Sequence, residues 1–131
     1  MTAAGAAPDV HLVRAPRGAD GTSFDAEMLR VFREALTALT AGQPVVALVH
    51  EEDILGRGEP LDAAAAHAVV GLVRGLAIEG AKEGWRINAI AVPSGEQDAD
   101  LAAWSGRLAV PAGATGIVLR LGPEHLGRVG L

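Results

Sequence analysis

The 131-residue sequence has no cysteine and no tyrosine, one lysine (Lys82), one asparagine (Asn88), and only two tryptophans and two phenylalanines. Each absence removes a class of chemistry. Without cysteine there are no disulfides, thiolate nucleophiles or cysteine metal sites, a composition that suits a reducing cytoplasm. The formal net charge is −5 and the arginines are scattered, so no basic footprint is present. With so few aromatics there is also no stacking platform, and nucleic acid is not an expected partner. No stretch reaches the roughly 18 uninterrupted apolar residues of a membrane helix, so no membrane association is expected. The opening MTAAGAAPDV has neither the cationic start nor the apolar run of a signal peptide. These features together predict a cytoplasmic location.

What the sequence has in excess is small and apolar. Hydrophobic residues make up 50%, before counting 17 glycines. With glycine the fraction is roughly 63%, against a usual 45–50% counted the same way. Either a coding bias towards Ala, Gly, Val and Arg or surface meant for a partner would produce this. The length predicts a single domain spanning 1–131, with residues 1–8 as a flexible leader.

Periodicity organises the rest. Residues 9–16, DVHLVRAP, read as a short strand closed by Pro16. A helix is expected over 24–40, capped by Thr22 or Ser23, with Asp25 and Glu27 in its first turn. Met28, Val31, Phe32, Ala35, Leu36 and Leu39 share one face of it, and Gly42 stops it. Residues 43–49, QPVVALV, form a continuous apolar run, as in a strand buried on both faces of a parallel sheet. A polar loop at 50–60 leads to a long helix over 62–83, with Asp62 as its cap. Further strands are expected at 85–92 and 114–122, with a short helix at 98–104 between them. This β-α-β-α-β-(α)-β order predicts an α/β fold, a doubly wound Rossmann-like sheet of about four parallel strands with flanking helices.

The stretch HAVVGLVRGLAIEGAKEGWRINAIAVPSG (67–95) resembles the helix and strand that follow the catalytic tyrosine in the short-chain dehydrogenase/reductase family. There a Tyr-x-x-x-Lys helix continues as AAVxGLTRALAxE, then a strand reads RVNAVAPG. The closing TGIVLRLG is similar to that family's last strand, and VHLVRAP stands loosely where the family has a strand and NNAG. The resemblance covers about 110 residues. It implies a truncated Rossmann-like fold lacking the N-terminal cofactor-binding strands.

In that register the family serine falls on His50, the tyrosine on Asp62 and the lysine on Ala66. Family catalysis needs a phenol whose pKa is lowered by a neighbouring ammonium. No tyrosine exists here, and Lys82 lies more than five turns beyond Asp62 along the helix. No G-x-G-x-x-G or G-x-x-x-G-x-G turn joins a strand to a helix, so no dinucleotide cradle is expected. The resemblance therefore implies no catalytic residue and no cofactor bound by this chain, NAD(P) being confined to a partner subunit.

The remaining polar groups form no recognisable site either. His50, Glu51 and Asp53 with His67 could be imagined as metal ligands, but four consecutive polar residues, HEED, read as a solvated loop, so no metal site is expected. Ser23, Ser94 and Ser105 lack a histidine–aspartate pair at family spacing. EQDAD (96–100) reads as a solvated turn, and Trp104 as core or interface.

The small-residue line Ala64, Ala68, Gly71 and Gly75 is more informative. Glycine within a helix costs roughly 0.5–1 kcal/mol against alanine, so two on one side ask for close approach of another backbone. That backbone is either the sheet of the same chain or a partner. In the resembled family this helix and its predecessor build a four-helix bundle across a two-fold axis, which would enlist Met28 and Phe32. An uncovered edge on the strand at 9–16 is a second reason for a partner.

The expected function is that of a non-catalytic structural or regulatory subunit. Its partner would be a full-length short-chain dehydrogenase/reductase, in a hetero-oligomer with a heterotetramer as the expected form. A self-associating homodimer with a small-molecule-binding role is the alternative. A new chemistry using His50 with Asp62 is the third class.

Overall fold

The computed structural model describes residues 9–93, 98–110 and 113–121. The strands β1 (His11–Arg14), β2 (Val45–His50), β3 (Ile87–Val92) and β4 (Val118–Arg120) form one sheet in the order β1-β2-β3-β4. Every pairing is parallel, with His11 beside Val45, Val45 beside Ile87 and Ala89 beside Val118. The helices are α1 (Phe24–Thr40), α2 (Glu51–Ile54), α3 (Pro60–Glu79) and α4 (Asp98–Leu108). The expected Rossmann-like α/β arrangement is therefore present in the described residues.

Side-chain alternation sorts the two central strands between two layers. Val45, Ala47 and Val49 of β2, with Ile87, Ala89 and Ala91 of β3, face α1 and α3. Val46, Leu48, Ile90 and Val92 point to the other face, where Leu101 and Leu108 of α4 meet them. A strand covered on both faces has no polar side, which is why β2 and β3 read as unbroken apolar runs. Helix α3 contributes Val69 and Val73, both 0% exposed. Burying such a side chain contributes about 1.5–3 kcal/mol. α3 is also long and apolar enough to cross a membrane by length and composition, yet here it lies with one side on the sheet.

Several expected boundaries move. α3 begins at Pro60, because proline's fixed φ and missing N–H suit the first helical turn. Its N-cap is Glu59 rather than Asp62. It ends at Gly80, whose backbone lies directly on the Trp85 ring. The segment 50–60 is not a solvated loop throughout: residues 51–54 form α2, with Glu51 and Asp53 buried. α4 runs to Leu108 rather than Trp104, and the strands are shorter than their apolar runs. Gly42 does stop α1, at φ +82°, where a side chain would be strained.

The cap of α1 is also a correction. Ser23 occupies the position, but its side chain makes no cap bond to the helix. Asp20 organises the turn instead. Its Oδ1 accepts the backbone N–H groups of Thr22 (2.9 Å) and Ser23 (3.0 Å) and both their hydroxyls (2.6 and 3.1 Å). These donors, the Thr22 hydroxyl first, hold the Asp20 carboxyl at about 2, below its ordinary 3.8.

Residues 1–8, with the expected leader, lie outside the described residues, as do Ser94 and the first part of EQDAD.

Candidate functional site at the carboxyl ends of the strands

In a parallel sheet the carboxyl ends of the strands gather the loops that carry function. Here the β1–α1 loop, α2, the start of α3 and β4 converge there, and charge pairs join them. Arg17 Nε donates to Asp53 Oδ2 at 2.9 Å, and its Nη2 to Glu52 Oε1 at 2.7 Å and Asp53 Oδ1 at 3.3 Å. Asp53 is 1% exposed, so burial demands that partner. The same bonds raise the Arg17 guanidinium above its usual range, the Asp53 hydrogen bond first among the causes. Arg120 clamps Glu51 Oε1 with Nε at 3.0 Å and Nη2 at 2.7 Å.

The three positions aligned with family catalytic groups are now placed. His50 closes β2, half-buried in extended conformation, and makes no hydrogen bond to Asp62 among the described residues. Asp62 is 9% exposed and its Oδ1 accepts the Gly18 backbone N–H at 2.8 Å. It thus ties α3 to the β1–α1 loop. Ala66 is 1% exposed, packed in the main core cluster. Lys82 is exposed in the turn after α3. His67 Nε2 lies 2.9 Å from the Ile54 carbonyl, which can only accept, so this nitrogen carries the proton and ties α3 to α2.

Asn88, 1% exposed, is a structural clasp. Its Nδ2 donates to the Ala114 carbonyl at 2.8 Å and its Oδ1 accepts the Ile117 N–H at 3.2 Å, pinning the chain before β4. Ser105 is 4% exposed on the α4 layer, and its hydroxyl has no hydrogen-bond partner among the described residues. Trp104 is 36% exposed, with the Arg107 guanidinium 4.6 Å above its ring. Among the described residues no three His, Asp or Glu side chains group as metal ligands.

Arg17 and Arg120 were missed by sequence reasoning. The signal was indirect: three consecutive acids, Glu51 to Asp53, run directly into apolar Ile54 and Leu55, so the segment has a buried side, and buried acids require cations.

The small-residue line is exposed. Ala64, Ala68, Gly71 and Gly75 all face away from the sheet. A Cβ added at Gly71 or Gly75 would meet nothing within 4 Å. Leu61 (39% exposed) and Ile78 (77%) extend this line at both ends. The resulting 61-64-68-71-75-78 spacing alternates three and four, the seam of a helix that meets another helix. Met28 is half-buried against the core, while Phe32 is 37% exposed.

No protein-family model matches the sequence. No curated protein matches it either. Solved structures do. One is the NADH-dependent reductase A1-R′ complexed with NAD, at 18% identity and TM-score 0.65, over 86% of this chain and 61% of that one. Another is 4-hydroxyisoleucine dehydrogenase complexed with NADH and succinate, at 17% identity and TM-score 0.66, over 88% and 67%. A third is a short chain dehydrogenase from Mycobacterium smegmatis, at 23% identity and TM-score 0.66, over 89% and 59%. The chain thus has the Rossmann-like fold of reductases and dehydrogenases of the short-chain type. It spans about three fifths of the length of the first and third of these.

Proposed function

We propose that this chain is a non-catalytic structural subunit that associates with a full-length short-chain dehydrogenase/reductase in a cytoplasmic hetero-oligomer. The observation that carries the reading is the exposed seam of α3, where apolar ends flank four small residues and both glycines stand open to solvent. A helix laid there could approach the α3 backbone closely, which offsets the helical cost of Gly71 and Gly75. Leu29 and Phe32, 45% and 37% exposed on α1, would widen the contact.

The strand ends support an inactive role for this chain. Where a reductase needs a proton donor beside an ammonium, the aligned groups are an aspartate bonded to a backbone amide and a buried alanine. The residues present do not fit a dinucleotide. Glu51, Glu52, Asp53 and Asp62 gather negative charge at these strand ends, which disfavours a pyrophosphate, and Arg17 and Arg120 are already paired with three of them. We assign NAD(P) binding and reaction to the partner alone.

The test is native mass spectrometry of the tagged chain purified gently from its own host. A stable complex with a larger chain bearing Tyr-x-x-x-Lys supports the proposal. A chain that never carries a larger dehydrogenase overturns it.

A further inference from the structure

We draw no further inference here: the strongest candidate, the groove of about 570 Å³ between α1 and the outer edge of β1, has in its lining His11 and Arg30 already paired with Glu34 of the same chain, and nothing in the structure shows what covers it.

Discussion

The Asp53 side chain is 2% exposed and Arg17 supplies both of its charged hydrogen bonds, while remaining 38% exposed itself. Removing the cation leaves a buried charge without compensation, whereas removing both members leaves less to compensate. Arg17→Ala should cost about 1–3 kcal/mol, discounted from the fully buried case because water reaches the guanidinium. Urea unfolding should show the lowered midpoint, and Arg17→Ala combined with Asp53→Asn should cost less than the sum of the single changes. Additive losses would mean that the pair does not hold the strand ends together. Asp20 offers a second check. Its pKa, lowered to about 2 from 3.8, means that its share of stability is present above about pH 3.8 and is lost as pH falls towards 2. Carboxyl NMR should find that midpoint near 2, and Thr22→Val should raise it, since the Thr22 hydroxyl is the first cause. At this scale the sequence was least legible. That His50, Asp62 and Ala66 stand in the register of the resembled family's serine, tyrosine and lysine could be read from the sequence. The new use of Asp62, a bond to the Gly18 amide 44 residues earlier, could not, because no local pattern encodes it.

Elements were easier to read, and their boundaries failed for identifiable reasons. The hydrophobic runs of β2 and β3 and the periodicity of α1 come from burial and are visible in any window. The ends come from single contacts, such as Pro60 at the start of α3 and Gly80 under Trp85 at its close. Glycine position along α3 gives a prediction with opposite signs. Gly80→Ala would drive a methyl into the Trp85 ring, and should destabilise by about 1–3 kcal/mol as the indole shifts. Gly71→Ala and Gly75→Ala place methyls in open space and should each stabilise the isolated chain by about 0.5–1 kcal/mol. Thermal melting separates the two cases by the sign of the shift in Tm. A loss of stability at Gly71 or Gly75 in the isolated chain would show that these glycines serve this chain's own fold, and would remove the main support for a partner there.

For the whole molecule, the sheet and its covering helices were legible because they are built from this chain's own apolar pattern. Among the described residues, nothing covers the outer side of α3 or the outer edge of β1. Neither could be assigned from sequence, since the same small and apolar residues would serve an internal contact equally well. Placement changes the argument: a seam pointing away from the core contributes nothing to burial in this chain. Leu61→Lys with Ile78→Lys therefore tests assembly without touching the fold. Both side chains are already exposed, at 39% and 77%, so unfolding free energy should change by no more than about 0.5 kcal/mol per site. Solubility of the isolated chain should rise as the apolar stripe is broken by charge. Co-purification of a larger dehydrogenase from the host should fall at least tenfold, because a lysine pressed into a helix contact must lose its hydration. The measurement is the ratio of the two chains in native mass spectra of variant and unmodified protein. An unchanged ratio would mean that the partner, if bound, uses another surface, and that the spacing of α3 reflects only a composition rich in alanine and glycine.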